Sequence, residues 1–197
     1  VPFGIPGETV RVEVTRQYAR HLSARLVQVV EPSADRVKPP CPHFSACGGC
    51  QWQHIAYKRQ LELKRQVVQM QIERIARLKV EVLPVIGMPQ PWAYRNNVQY
   101  KLSSSGELGF MAYHSNDVVP ISECWIAHPQ LEDLAGAFDL EDTPLSGITL
   151  RVGAGTGEAL VLFEGEEEAD ISVDFPVSCV FLGQDGGVRV LAGESSF

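Results

Sequence analysis

No run of 18 or more apolar residues occurs in the 197-residue sequence, which excludes a membrane-spanning helix. The first residues, Val1-Pro-Phe-Gly-Ile-Pro-Gly-Glu8, contain neither a charged stretch nor an apolar one. No secretory leader is read there, and the expected compartment is the cytoplasm. An even cysteine count is also missing. Five thiols do not close a disulfide framework, and clustered cysteines in a reducing compartment read first as metal ligands. There is no internal repeat, and the one biased stretch is the short acidic Glu166-Glu167-Glu168. Cations are scarce in one half only. Residues 102–197 hold 2 Lys/Arg against 17 Asp/Glu, whereas residues 1–101 hold 15 against 7. The net charge of −7 conceals this split, so overall acidity does not exclude a polyanionic partner, and nucleic acid is the leading one for the first half.

What is present is ordinary globular material, 45% hydrophobic and 21% charged, long enough for one sizeable core or two small ones. Glu8–Val14 alternates, with Val10, Val12 and Val14 on one side, and reads as a strand; Ser23–Val30 reads as another. Two strands do not make a stable domain, so residues 1–33 are expected to be part of a small β-barrel. Pro32, Pro39, Pro40 and Pro42 lead into a cysteine loop, and 34–90 forms the second segment. A helix free of Gly and Pro is expected from about Ala56 to Leu78. Its stripe of Tyr57, Leu61, Val68, Ile72 and Ile75 lies well round from a second stripe of Leu63, Val67, Met70 and Leu78, so it needs cover on two sides. Residues 91–197 read as strands at 98–102, 108–113 and 118–121, a short helix at 129–138, and hairpins at 148–163 and 179–191. The fold class is α+β.

The strongest motif is Cys41-Pro-His-Phe-Ser-Ala-Cys47-Gly-Gly-Cys50. Three thiolates within ten residues, with glycines between the last two, let the backbone wrap one soft metal centre. Cys124 is the best fourth ligand by residue type, and His43 or His54 is the alternative for a zinc site; spacing alone leaves zinc and an iron–sulfur cluster evenly matched. Gly153-Ala-Gly155-Thr-Gly157 suggests a cofactor loop, but strand-like Glu158-Ala-Leu-Val-Leu-Phe follows where a helix should open, so a hairpin turn is expected. Cys179, in Val177-Ser178-Cys179, is followed by Val180-Phe181-Leu182 and reads as a core thiol. Arg95 and Lys101, beside Tyr94 and Tyr100, combine cations with aromatics and are the candidate nucleic-acid contacts, suited to phosphate binding and base stacking.

The cysteine motif, with Gln51-x-Gln53-His54, Tyr57, Gln60-Leu61 and Lys64, resembles the cluster segment of the iron–sulfur 23S ribosomal RNA (uracil-5-)-methyltransferases. Cys124-Trp-Ile126-Ala-His-Pro129-Gln130-Leu131 is similar to the context of that family's fourth ligand. Gly4-Ile-Pro-Gly-Glu8 resembles its TRAM barrel, and Tyr94-Arg95-Asn96 with Leu108-Gly109-Phe110 resembles its central domain. The match covers most of 1–131. The resemblance implies a partial TRAM (OB-like) barrel, a cysteine linker with a long helix, and an α+β central domain. It also implies a structural [4Fe–4S] cluster on Cys41, Cys47, Cys50 and Cys124, whose sulfurs must then lie within about 7 Å of one another. In such an enzyme a Rossmann-like C-terminal domain binds S-adenosylmethionine, and a cysteine there adds to uracil C6 so that C5 accepts the methyl group. Residues 1–197 contain neither, so this chain is expected to carry no catalytic residue, to be inactive alone, and to have ribosomal or transfer RNA and the absent domain as partners. The rivals are a non-catalytic RNA-binding protein with a four-cysteine zinc ion, and a redox or radical enzyme. A radical S-adenosylmethionine enzyme normally spaces its cysteines x3 and x2 and leaves one iron open.

Overall fold

The computed structural model describes residues 1–140, 142–153, 155–168 and 176–194. The chain divides into two compact units, Val1–Ser45 with Cys50–Pro89, and Ala46–Gly49 with Gln90–Phe197. The first carries 13 Lys/Arg against 7 Asp/Glu and the second 4 against 17, so the charge split of the sequence is a split between folded bodies.

In the first unit β1 (Thr9–Gln17) and β2 (Leu22–Glu31) pair antiparallel as a two-stranded ribbon. The residues around it are tied by an ion pair. The Glu8 carboxylate receives Arg36 Nε at 2.5 Å and Nη2 at 2.6 Å, plus backbone N–H groups of Ile5 and Ser33. The Glu8 side chain is fully covered. Its charge survives burial because four donors converge on it.

α1 (Tyr57–Gln71) buries Leu63 against Ile5, Ile55 and Trp52. It is shorter than the expected 56–78: a π-helical turn takes over at Ile72–Ala76, and Arg77 adopts a left-handed conformation (φ 57°) that ends the run. Sequence composition carries no signal for such a turn. The Tyr57 and Leu61 end of the first stripe is covered by residues 80–88. Arg65 donates to the Val82 carbonyl, Gln69 clamps Val80 and Val82, and the Tyr57 hydroxyl accepts Met88 N–H. A Cβ on Gly87 would come within 2.8 Å of Leu61 Cδ1, so glycine lets this strap lie close. Beyond the buried Leu63 the second stripe is open, with Val67, Met70 and Leu78 exposed, as are Val68 and Ile75 of the first.

The second unit is a seven-stranded sheet in the order β5-β4-β3-β6-β7-β8-β9, with strands β3 (Asn97–Leu102), β4 (Leu108–Met111), β5 (Val118–Pro120), β6 (Leu145–Val152), β7 (Ala159–Gly165), β8 (Ser178–Gly183) and β9 (Val188–Ala192). Neighbours run antiparallel except β7 and β8, which are parallel. Helix α2 (Pro129–Gly136) buries Leu131 and Leu134 in the core formed with Val98, Ile148, Leu150, Val161 and Phe163. Proline at its start costs nothing, because a first-turn N–H has no helical partner. The architecture is α+β, as expected. Gly109 sits where a Cβ would meet the Val119 carbonyl oxygen at 2.2 Å. Gly109→Ala should therefore force β4 and β5 apart and cost about 1–3 kcal/mol, read as a lowered urea midpoint.

Candidate cysteine centre

Cys41 opens a tight turn in the first unit. Its carbonyl accepts Phe44 N–H at 3.2 Å, and its own N–H reaches Gln53 Oε1 at 3.4 Å. Gln53 and His54 are both buried. His54 is anchored through its backbone, its carbonyl accepting Val37 N–H at 2.9 Å, and its ring sits among Phe3 and Phe44. Among the described residues neither ring nitrogen has a hydrogen-bond partner, and burial, then Arg36, lower its pKa. The imidazole is thus held neutral in an aromatic setting.

Cys47 is held in the second unit as part of an added edge. The segment Ala46–Gly49 bridges Ala112 through Cys47, Gly48 N–H donates to the Met111 carbonyl at 2.9 Å, and Tyr113 N–H to that of Ala46. A Cβ on Gly48 would meet Met111 O at 2.8 Å, so the first glycine of the motif is required by this approach of backbone to backbone. Gly49 N–H donates to Cys47 Sγ at 3.3 Å.

Cys124 stands before α2. Its carbonyl accepts Ala127 N–H, and its N–H donates to the carboxylate of Glu132 in the first turn of the helix. The next residues dock on the segment before β3: Trp125 accepts from Ala93, Ile126 accepts from Arg95, and Arg95 accepts from His128. Trp92 meets Trp125 edge to face.

Cys47 and Cys124 are electrostatic neighbours. The Cys47 thiol is pushed up, first by burial and then by Cys124, against the opposing pull of Gly49 N–H and Arg95. Two thiolates side by side disfavour each other's charge, and a soft cation removes that conflict; backbone N–H donation to sulfur is the usual outer support of such a centre. The donor chemistry of this pair fits a metal–sulfur group. Among the described residues, however, no group of three or more His, Cys, Asp or Glu side chains is gathered as a metal ion requires. Cys41 and Cys50 belong to the first unit and Cys47 and Cys124 to the second.

The candidate RNA contacts have neighbours that sequence does not show. Lys101 Nζ lies 2.6 Å from Glu164, which also receives Gln99 and Thr149, so its charge is matched across the sheet. Arg95 is half-buried and weakly opposes the upward shift that burial imposes on both Cys47 and Tyr100. Sequence reasoning does not single out Glu132, and it reads Gly48 as freedom to wrap a metal rather than as a close approach to the Met111 backbone.

Gly153–Gly157 connects β6 to antiparallel β7 as a turn, with Gly157 N–H on the Gly153 carbonyl at 2.8 Å; Ala154 lies outside the described residues. Cys179 is buried in β8, and burial raises its pKa, leaving an inert thiol.

No family model matches the chain. It is 36% identical over 184 residues to an uncharacterized RNA methyltransferase of Listeria innocua, an alignment that covers 83% of this chain and 40% of that protein. To an uncharacterized RNA methyltransferase of Halalkalibacterium halodurans it is 35% identical over 187 residues, covering 85% and 41%. Its fold is similar to that of the Pyrococcus abyssi tRNA (uracil-54, C5)-methyltransferase crystallised with S-adenosyl-L-homocysteine. That match has a TM-score of 0.63 and 25% identity, over 92% of this chain and 46% of that one. The chain spans about two fifths of the length of the curated relatives it matches, and over most of its own length it is similar to proteins named as RNA methyltransferases.

Proposed function

We propose that the chain is the RNA-gripping and cluster-holding part of an S-adenosylmethionine-dependent RNA (uracil-5-)-methyltransferase. The observation that carries this reading is the likeness of 92% of the chain to a tRNA uracil methyltransferase, joined to the Cys-x5-Cys-Gly-Gly-Cys motif. S-adenosylmethionine would supply the methyl group from a domain beyond these residues. Within the chain, Cys41, Cys47, Cys50 and Cys124 would hold a [4Fe–4S] cluster that ties the cysteine loop to the start of α2, a structural role. The β1–β2 ribbon would be a portion of a TRAM barrel. RNA would be drawn to the first unit, whose charge balance favours a polyanion, and repelled by most of the second. RNA methylation by the longer protein, abolished when the first unit is deleted, tests the assignment; methylation of free uridine-containing RNA undiminished by that deletion would overturn it.

Arg95 and Lys101 remain the proposed contacts on the second unit. Their joint replacement by Ala should flatten the slope of log affinity against log salt by roughly one to two units, one for each phosphate no longer neutralised. An unchanged slope in filter binding confines the grip to the first unit.

A further inference from the structure

The tip of the β1–β2 ribbon carries an assembled pile of flat groups that no core explains. Tyr18 and His21 close the hairpin through Tyr18 N–H on the His21 carbonyl at 2.9 Å, and their rings stack with centroids 4.4 Å apart at 13°. The Arg16 guanidinium lies over the Tyr18 ring, 4.9 Å from its centroid. All three side chains, and Arg20 in the turn, are exposed. None belongs to either hydrophobic cluster of the described residues. The charges are uncommitted too. Arg25 on the same ribbon is paired with Glu13, whereas Arg11, Arg16 and Arg20 have no acidic partner among the described residues.

Stacked rings in water gain little for a fold whose core they never touch. They do present a planar surface of fixed orientation, and every nucleobase has a π-face that can extend it. Guanidinium planes serve the same purpose and carry the charge that holds a phosphate. Within a rigid duplex the bases are already stacked on one another, so such a platform selects an unpaired residue.

We propose that Arg16, Tyr18, Arg20 and His21 form a stacking platform for an unpaired nucleotide of the RNA substrate. The base extends the Tyr18–His21 pile, and Arg16 and Arg20 hold the flanking phosphates. The inference rests on the RNA reading above and names where a single-stranded segment is gripped.

The test uses the full chain and two probes, a single-stranded RNA carrying one 2-aminopurine and the same sequence as a blunt duplex. Wild-type protein should bind the single strand more tightly and quench its fluorescence, since stacking quenches the probe. Tyr18→Ala should weaken single-strand binding about tenfold and abolish the quench, while leaving duplex binding unchanged. Tyr18→Phe, which keeps the ring, should retain both, and this conservative variant separates stacking from misfolding. Arg16→Ala with Arg20→Ala should flatten the salt slope by about 0.7 for each phosphate released. Wild-type affinity and quench retained in Tyr18→Ala overturns the platform while leaving RNA binding intact. No binding of either probe by wild type overturns the underlying RNA reading itself.

Discussion

Replacing Glu8 by Ala is expected to destabilise the first unit by about 3 kcal/mol, the lower end of what breaking a buried ion pair costs. The carboxylate is fully covered and receives two Arg36 nitrogens together with two backbone N–H groups. Its removal takes the partner from the Ile5 and Ser33 N–H groups and from Arg36 Nε, while Arg36 Nη2 keeps its bond to the Phe3 carbonyl. The same pair makes the unit acid-labile. The Arg36 hydrogen bonds hold the Glu8 pKa down at about 2, against 4.5 for the free side chain. The unfolded chain therefore takes up a proton that the folded chain refuses, and the stabilisation is complete above pH 4.5 and withdrawn as pH falls towards 2. His54 acts in the same direction at higher pH. Burial, then Arg36, lower its pKa, so unfolding is favoured once the unfolded imidazole begins to charge below 6.5. Urea midpoints followed by circular dichroism should fall in two stages as pH is lowered through these windows. Glu8→Ala should lose the lower stage and His54→Phe the upper one. A Glu8→Ala midpoint equal to wild type at neutral pH would show that the pair contributes no net stability.

Period and punctuation make most of the strands legible. Alternation at Val10-Val12-Val14, glycine turns at Gly153–Gly157 and Gln184–Gly187, and proline ahead of α2 all locate elements within a few residues. Three features are not legible, each for a physical reason. The parallel pairing of β7 with β8 is a long-range choice, decided by how Val161, Phe163, Cys179 and Phe181 share one core, and no local residue encodes it. The strap of residues 80–88 along α1 depends on Gly87 and on side chains of Arg65 and Gln69 reaching seventeen and eleven positions onward, beyond any local pattern. The commitment of Lys101 to Glu164 likewise pairs residues 63 apart on β3 and β7. At the cysteine centre, the sequence identifies the thiols and the glycines between them, but not that Gly48 is required by the nearby Met111 carbonyl. It does not show that Ala46–Gly49 attaches to the second unit through Ala112, nor that Arg95 acts electrostatically on Cys47.

The largest expected effect is loss of the metal centre in Cys124→Ser. Anaerobic reconstitution of the wild-type chain with iron and sulfide should give broad visible absorbance and about four irons and four sulfides per chain, the content of one [4Fe–4S] cluster. A serine hydroxyl is a hard, weakly acidic ligand, so Cys124→Ser should remove the absorbance although the side chain is nearly isosteric. Cys47→Ser should do the same, because Cys47 shares the second unit with Cys124 and its sulfur accepts Gly49 N–H. Cys179→Ala is the contrasting variant. That thiol is buried in β8 within the core, so its removal should cost stability through a small cavity and leave the iron content unchanged. Circular dichroism of each variant separates loss of ligand from loss of fold. Uptake of one zinc per chain with no visible absorbance would replace the cluster by a tetrahedral ion on the same thiolates. Full iron and sulfide content in Cys124→Ser would remove Cys124 from the ligand set, whereas a zinc ion retained by that variant would return the fourth position to His43 or His54. Of these, His54 is the buried one, with both ring nitrogens lacking a hydrogen-bond partner among the described residues.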